Sequence, residues 1–254
     1  MNRILIIISA LVVSSSCSNE NSIESEGEIE TVYVNQDSIN QVLRVDSILE
    51  SNLSALGFVN LKKVDSAIRI DLRYATDNNF MKTILYDSLR TIYLRSDVAT
   101  RLASCQRLLD SIKPGHFLLV YDGVRPLDVQ KEMWEALDSI PASERGKFVS
   151  NPLFGSVHNY GAAVDLTICD VDGVVLDMGA GYDDFRDIAF PSLESKHLKS
   201  GELTREQYEN RKLLRKVMRS ERFFNIPSEW WHFNAYSRRY CDSLFEALQF
   251  ESGN

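Results

Sequence analysis

An aspartate lies in the middle of an apolar segment whose pattern is typical of a buried strand. Residues 162–168 read Ala-Ala-Val-Asp-Leu-Thr-Ile, so Asp165 is surrounded along the chain by residues that prefer a protein core. A bare carboxylate in such a place costs several kcal/mol unless an opposite charge lies beside it. A bound metal cation would supply that charge. Asp165 is therefore a candidate metal ligand, and the other ligands should be found elsewhere in the sequence.

Two histidines are the candidates to share a metal ion with Asp165. His158 lies seven residues before it, which in a straight strand would place the two side chains on opposite faces. The intervening Asn-Tyr-Gly sequence breaks the strand, so His158 can lie on a turn that folds back toward Asp165. His232, in the segment Glu-Trp-Trp-His, is the third ligand. Two imidazoles and one carboxylate, with water in the fourth position, suit catalytic zinc, whereas structural zinc sites more often use four ligands, largely cysteine. The sequence thus predicts one Zn²⁺ per chain.

Glu229 and Arg125 are the candidates for catalysis beside this metal. Glu229 lies three residues before His232 and can act as a general base on a metal-activated water. An ExxH pair is common by itself, and its alternative reading is a surface glutamate beside an aromatic core strand. Arg125 follows a predicted buried strand, where its guanidinium could stabilise the oxyanion formed from a scissile carbonyl. An ion pair with Asp122 that shapes the turn is the alternative reading of Arg125.

The first 16 residues have the pattern of a secretory signal. Arg3 precedes an apolar run from Ile4 to Val13, and small residues then lead to Cys17. The arrangement resembles a bacterial lipobox, in which the cysteine is acylated and becomes the new N-terminus, although Ser14 replaces the leucine that is usual three places earlier. The alternative is an ordinary signal peptide cut nearby. We therefore expect an exported protein on the periplasmic side of a bacterial membrane, anchored by lipid on Cys17 or, without acylation, soluble in the periplasm.

Composition narrows the remaining classes of protein. The 254 residues suffice for one sizeable core or at most two small domains. The 28 basic and 36 acidic residues give a net charge of −8, which argues against a nucleic-acid-binding protein. No internal apolar run reaches the roughly 18–20 residues of a membrane-spanning helix, and no protein partner is evident. Acylation of Cys17 would leave three cysteines, of which at most one pair could form a disulfide: Cys105, Cys169 and Cys241.

The order of predicted elements favours an α+β fold with one mainly antiparallel sheet flanked by helices, because strands and helices do not alternate as regular βαβ units. Residues 18–30 are polar and acidic and predict a flexible tether. Helices are predicted at 37–52, 97–112, 127–137 and 205–219, and strands at 67–74, 117–121, 162–168, 174–176 and 230–234. The predicted organisation is a signal peptide at 1–16, a segment at 17–52 with the lipidated cysteine, tether and helix, and a single catalytic domain at 53–254.

Three segments resemble the core motifs of one enzyme family. They are SVHNYGAAVDLTI (156–168), YDGVRP (121–126) and EWWHF (229–233), which are similar to motifs of the VanX-type D-alanyl-D-alanine dipeptidases. These enzymes are zinc peptidases related to the D,D-carboxypeptidases of peptidoglycan metabolism. Segments 71–80, 177–185 and 210–223 fit the same family, so the resemblance covers residues 55–245 in consistent order.

The resemblance implies a role for each candidate residue. Zinc would be bound by His158, Asp165 and His232. Glu229 would be the base and later the proton donor to the leaving amine, and Arg125 would hold the carbonyl oxygen in the transition state. Asp183, chosen over Asp184 on spacing within its motif, would meet the ammonium group of the substrate together with Tyr74, and Ser156 would contact the substrate as well. Loop capping and core packing are the alternative roles of Asp183 and Tyr74.

The expected function is zinc-dependent hydrolysis of D-Ala-D-Ala or a related dipeptide in the cell envelope. The nearest alternative is a D,D- or L,D-carboxypeptidase that trims peptidoglycan stem peptides with the same zinc site. A third hypothesis is a non-catalytic lipoprotein that binds wall fragments, but the presence of all three ligands, the glutamate and the arginine counts against it.

Overall fold

The computed structural model describes residues 3–5, 33–146 and 148–250. The chain divides into two compact units, residues 1–51 and 52–254. In the first unit, strand β1 (Arg3–Leu5) pairs with strand β2 (Tyr33–Asn35) in antiparallel fashion. Helix α1 (Gln36–Ala55) follows β2 directly, and its last four residues belong to the second unit. The helix predicted at 37–52 is thus confirmed. Apart from residues 3–5, the predicted signal peptide lies outside the described residues, as do Cys17 and the acidic tether.

The second unit contains the remaining helices and strands. In chain order they are β3 (Phe58–Asn60), α2 (Leu61–Val64), β4 (Arg69–Ile70), β5 (Tyr93–Arg95), α3 (Ser96–Ile112), β6 (Phe117–Asp122), α4 (Leu127–Ala136), α5 (Ala142–Arg145), β7 (Ala163–Cys169), α6 (Glu194–Ser200), α7 (Arg205–Ser220), β8 (Phe224–Asn225), β9 (His232–Asn234) and α8 (Arg238–Leu244). Short 3-10 helices occupy Arg73–Ala75, Val157–Tyr160, Asp187–Ala189 and Pro191–Leu193.

A five-stranded sheet with the order β4-β6-β7-β9-β8 forms the centre of this unit. The β4–β6 pair is parallel, and the other three pairs are antiparallel. Strands β3 and β5 form a separate antiparallel pair. The α+β prediction is confirmed. The sheet is mixed because the edge strand β4 runs parallel to its neighbour β6.

The core lies around β7, the central strand of the sheet, which is buried along its whole length. Helix α3 packs on β6 and on α7. It buries Val98, Leu102 and Leu109, whose spacings of four and seven residues place them on one helical face. Helix α7 begins at a capping box: the Thr204 hydroxyl accepts from the Gln207 backbone N–H, and the Gln207 side chain accepts from the Thr204 N–H.

Three predicted strands are shorter than expected, and the one predicted at 230–234 forms only β9 (His232–Asn234). The segment predicted at 67–74 pairs only at Arg69–Ile70 and then turns into a 3-10 helix, where the Tyr74 carbonyl accepts hydrogen bonds from the backbone N–H groups of Leu85 and Tyr86. The segment at 174–176 forms a single bridge to Cys169, and the side chains of Val174 and Val175 are exposed. Without a buried face, this segment has little to hold it in the sheet.

Two further findings concern membrane-spanning helices and the cysteines. In the described part of the chain, no helix is both long and apolar enough to cross a membrane. Cys105, Cys169 and Cys241 are buried, and each has a free thiol.

Candidate active site

The pairing of β7 with its two neighbouring strands places Asp165 at the centre of the site. Asp165 lies opposite Asp122 of β6 on one side and opposite His232 of β9 on the other. Its carboxylate Oδ1 is 3.0 Å from Nδ1 of His232 and 3.3 Å from Nε2 of His158. One ligand atom from each of these buried residues lies within 4.8 Å of the others. The structure therefore brings the three predicted metal ligands together.

His158 reaches Asp165 because the chain makes a tight turn before β7. Ser156 caps the 3-10 helix Val157–Tyr160 by accepting from the His158 N–H, and Asn159 accepts from the Ser156 N–H at 2.6 Å. Gly161 then reverses the chain at a φ of +63°. A side chain could not be accommodated there, since a Cβ at Gly161 would lie 2.6 Å from the ring of Phe58. This is the turn that the Asn-Tyr-Gly sequence predicted.

Hydrogen bonds orient both imidazoles toward the centre. Nδ1 of His158 lies 2.7 Å from the Gly123 carbonyl oxygen, so it carries the proton and leaves the Nε2 lone pair facing Asp165. Nε2 of His232 lies 3.0 Å from Oδ1 of Asn234, which leaves Nδ1 facing the same point. These tautomers follow from the acceptors around the rings. The two partners, Gly123 and Asn234, hold the ligands in a geometry ready for a cation.

Electrostatics couple the three ligands. Burial alone would raise the pKa of Asp165, but the two histidines hold it well below its ordinary value. Burial likewise opposes the charged form of His232, yet its hydrogen bond and charge interaction with Asp165 raise its pKa overall. Asp165 and His232 thus favour each other's charged forms, and because metal ligands bind in their deprotonated forms, metal binding would release any proton held by His232.

Arg125 both pairs with Asp122 and faces the ligands. Its Nε and Nη2 donate to Oδ2 of Asp122 at 2.9 and 2.7 Å, and its Nη1 donates to Gln130 at 3.1 Å. The ion pair considered as the alternative reading is thus present. A guanidinium has five N–H groups, so one on each Nη remains free for another acceptor. Nη2 lies 3.7 Å from Oδ2 of Asp165. The unused N–H groups of Arg125 are therefore close to the metal-ligand candidates.

Glu229 lies beside the third ligand, just before β9. Its Oε2 is 3.9 Å from Nδ1 of His232. The side chain is half-buried, and burial is the main reason that its pKa is raised above its ordinary value, with the charge of Asp165 adding to the effect and that of His232 opposing it. A raised pKa suits a carboxylate that accepts a proton in one step and returns it in another.

Asp183 and Tyr74 meet at the same site. The Tyr74 hydroxyl donates to Oδ1 of Asp183 at 3.3 Å, and Oδ2 of Asp183 is buried without a hydrogen-bond partner among the described residues. Burial, with the nearby Asp165 charge, raises the pKa of Asp183 to about 8. The residue also has a φ of +59°, a left-handed conformation uncommon outside glycine. The neighbouring Asp184 instead pairs with exposed Arg186. Of the two aspartates, Asp183 is therefore the one that has an unpartnered oxygen and lines the cavity with the metal-ligand candidates.

One cavity of about 180 Å³ joins these groups. It is lined by all eight site residues predicted within 53–254, namely Tyr74, Arg125, Ser156, His158, Asp165, Asp183, Glu229 and His232. Part of its wall is aromatic: the Phe185 ring packs edge-on against Phe80 and Phe148, with centroids 5.3 and 4.9 Å apart. The arrangement can hold a cation, a water and a small polar ligand next to a base.

Comparison with known proteins identifies the family. The family model described as D-ala-D-ala dipeptidase matches residues 54–249. The chain belongs to this peptidase family. A D-alanyl-D-alanine dipeptidase of Escherichia coli is 32% identical over 175 residues, which cover 69% of this chain and 82% of the relative. One from Enterococcus faecalis is 28% identical over 202 residues, covering 74% and 96%.

A solved structure also resembles the chain of this dipeptidase-family protein. It is a vancomycin-resistance D,D-pentapeptidase VanY variant in complex with Zn(II), 13% identical, with a TM-score of 0.32 over 61% of this chain and 79% of that one.

Sequence reasoning missed several residues of this family member's site. Asn234 and Gly123 orient the ligands, Gln130 holds Arg125, and the Tyr182 hydroxyl donates to Oδ2 of Asp165 at 3.2 Å. Arg238 lines the cavity as well. Asn234 follows His232 by two residues on the same strand face, which is a period-two signal that was available in the sequence. The other contacts depend on the folding of separate segments.

Proposed function

We propose that this protein hydrolyses D-Ala-D-Ala, or a closely related dipeptide, at a zinc ion held by His158, Asp165 and His232. The observation that carries the proposal is the convergence of these ligands with a base and an anionic subsite in one small cavity. Membership of the D-ala-D-ala dipeptidase family supports the substrate class.

The donor set fits zinc. Two imidazole nitrogens and one carboxylate oxygen converge, and an outer hydrogen bond orients each ring. When bound, zinc would acidify a water molecule and polarise the carbonyl of the scissile amide. The remaining parts of the mechanism belong to the side chains of the chain itself.

Glu229 is positioned to move the proton. Its carboxylate lies next to His232, so it can accept a proton from the attacking water and then deliver it to the leaving amine. Its raised pKa brings the carboxylate closer to the working pH, which helps both transfers.

Arg125 is positioned to stabilise the developing oxyanion. Asp122 and Gln130 fix its guanidinium, so the two remaining N–H groups need no reorganisation when negative charge forms on the carbonyl oxygen. Asp122 is itself held by the Tyr86 hydroxyl at 2.7 Å and by the Gly123 N–H at 2.9 Å. The arginine is therefore preorganised by partners on three segments.

Asp183 is positioned to bind the ammonium group of the dipeptide. Its buried Oδ2 lacks a partner among the described residues, and burial makes the free carboxylate costly. A bound ammonium would supply both the missing donor and the missing charge. The Tyr74 hydroxyl orients this carboxylate.

The size of the cavity supports a dipeptide over a longer peptide. Its volume of about 180 Å³ is below the ~300–1,000 Å³ that is usual for sites of drug-sized ligands. The packed rings of Phe80, Phe148 and Phe185 form part of its wall, and Asp183 lies two residues before Phe185 in the chain. A carboxypeptidase would need an open path past the ammonium subsite for the rest of its stem peptide.

The test is a substrate panel with metal analysis. The zinc-loaded protein is expected to cleave D-Ala-D-Ala faster than a pentapeptide stem ending in D-Ala-D-Ala, and EDTA should abolish cleavage. Glu229→Gln should lower kcat at least ~10²-fold, the lower end of what a general base contributes, while it retains zinc. Glu132→Gln, an exposed glutamate on α4, is the matched control and should leave kcat unchanged. A normal kcat in Glu229→Gln would refute the assigned base, and preference for the pentapeptide would favour the carboxypeptidase.

We also propose that the enzyme works outside the cytoplasm as a lipoprotein. The N-terminal pattern that ends at Cys17 supports this location. Metabolic labelling with radioactive palmitate should mark the wild-type protein in the membrane fraction, and Cys17→Ala should lose the label. Labelling that persists in Cys17→Ala would contradict acylation at this residue.

A further inference from the structure

The roles proposed above leave one group of the substrate unpartnered. A dipeptide has an ammonium, a scissile carbonyl and a free carboxylate, and the first two are assigned to Asp183 and to Arg125 with the metal. We infer that Arg238 binds the free carboxylate and makes a free C-terminus a requirement for efficient cleavage. This inference rests on the proposed function and adds a specificity-determining residue to it.

The positive charge of Arg238 is available to a ligand in the cavity. Among the described residues, and apart from histidines, the cationic side chains that line the cavity are Arg125 and Arg238. Arg125 is buried and already neutralised by Asp122 at 2.7 Å. Arg238 is exposed, and its Nη1 donates to the backbone carbonyl of Phe154, a neutral group that leaves the positive charge uncompensated. A substrate carboxylate in the cavity would therefore find its free guanidinium at Arg238.

The local partners leave donors of Arg238 available. Its guanidinium carbon lies 5.7 Å from the centroid of the Phe154 ring, so the side chain is held beside the 154–156 segment. Asp242, one helical turn further along α8, accepts from the Tyr160 hydroxyl at 2.6 Å. Among the described residues, no carboxylate forms an ion pair with Arg238. Because a guanidinium has five N–H groups, the single bond to Phe154 leaves enough for a bidentate carboxylate.

Position is the second argument. Oδ1 of Asp165 faces the two histidines, whereas its Oδ2 faces the Tyr182 hydroxyl, and Tyr182 directly precedes Asp183. From His232, β9 runs to Asn234 opposite Ala163, and α8 with Arg238 follows beyond that end. The acid and the free cation thus belong to separate segments: Asp183 follows the residue that contacts Oδ2 of Asp165, and Arg238 lies on the helix that follows β9.

Ser156 strengthens the placement of the carboxylate. It is buried, lines the cavity and lies two residues after Phe154, the residue that Arg238 contacts. The backbone next to it is held by Asn159. A carboxylate bound between Arg238 and Ser156 would leave the adjacent amide near the metal ligands and the ammonium toward Asp183. This is the charge order of a zwitterionic dipeptide.

The test compares D-Ala-D-Ala with D-Ala-D-alaninamide, in which the carboxylate is a neutral amide. D-alanine release is measured with zinc-loaded wild type, Arg238→Gln, Arg238→Lys and the control Arg239→Gln, whose arginine is also exposed but does not line the cavity. Wild type should prefer the acid by about 10- to 100-fold in kcat/KM, the range for a hydrogen bond to a charged group. Arg238→Gln should lose most of this preference through a higher KM for the acid. Arg238→Lys should retain part of it, and Arg239→Gln all of it.

Two outcomes would overturn the inference. One is a wild-type preference that Arg238→Gln retains. The other is an equal loss on acid and amide, which would indicate a structural role in holding Phe154. Calorimetric affinities of both ligands for zinc-loaded Glu229→Gln protein, with and without Arg238→Gln, measure the same preference without turnover. Failure of wild type to cleave any dipeptide would refute the proposed function, and the calorimetric comparison would still decide the role of Arg238.

Discussion

Replacing Asp183 with asparagine is expected to stabilise the metal-free protein while it damages catalysis. Burial and the nearby Asp165 charge raise the pKa of Asp183 from 3.8 to about 8, so the folded protein disfavours the ionised side chain. Asparagine has nearly the same shape, carries no charge and tolerates the left-handed conformation at this position. The substitution therefore isolates the free energy of the buried charge.

The sign and size of the effect follow from proton linkage. Between the ordinary pKa and the raised one, the folded state keeps a proton that the unfolded state has released, so wild-type stability falls as pH rises from about 4 to about 8. At ~1.4 kcal/mol per pKa unit, ionisation of Asp183 lowers the free energy of unfolding by at most ~6 kcal/mol. Only about a quarter of this loss has occurred at pH 5. Because the side chain keeps some exposure, the actual effect should be smaller. We expect the free energy of unfolding of Asp183→Asn, relative to that of wild type, to increase by ~2–4 kcal/mol between pH 5 and pH 8.

The assay is urea unfolding of EDTA-treated wild type and Asp183→Asn at pH 5, 6.5 and 8. The difference in the free energy of unfolding should grow with pH in favour of the variant. Asp184→Asn is the control, because Asp184 pairs with Arg186 and its pKa is lowered, so this variant should show no such gain. In the same preparations, loaded with zinc, Asp183→Asn should lose most of its kcat/KM on D-Ala-D-Ala. A stability difference that does not change with pH would refute the reasoning.

Two further predictions concern the metal ligands. Asn234→Leu should weaken zinc binding about 10- to 100-fold, because it removes the acceptor that orients His232, and competition with a chromogenic chelator measures this; unchanged affinity would contradict the orienting role. Gly161→Ala should lower the free energy of unfolding by ~2–4 kcal/mol, since the new Cβ meets Phe58 in a left-handed turn. Gly115→Ala, also left-handed but with open space around it, should cost only ~1–2 kcal/mol in the same urea titration, and equal losses would contradict the packing argument.

The metal ligands could be predicted from sequence because one residue was hard to place otherwise. Asp165 in an apolar strand indicated a positively charged partner. The turn predicted before the strand allows the His158 side chain to reach Asp165. The structure shows both features, with Asp165 buried and Gly161 reversing the chain. Buried charge is a strong constraint because its cost is large compared with the stability of a domain.

The surroundings of the ligands could not be predicted in the same way. The Gly123 carbonyl accepts from His158, 35 residues away, and only the pairing of β6 with β7 brings the two together. Strands β3 and β5 are three residues long, too short for a period-two pattern to distinguish them from loops. Arg238 looks like any exposed arginine in the sequence, since its importance depends on a cavity formed by separate segments.

The shortness of β9 has a consequence for how the protein folds. With only three residues, backbone pairing alone specifies the alignment of this strand on β7 weakly. A slip by one position would turn the His232 imidazole to the opposite side of the sheet and leave Asp165 facing a tryptophan or a phenylalanine. A divalent ion held by His158, Asp165 and His232 would bind tightly only to the correctly aligned strands, so its binding would favour the native pairing over pairings shifted by one residue.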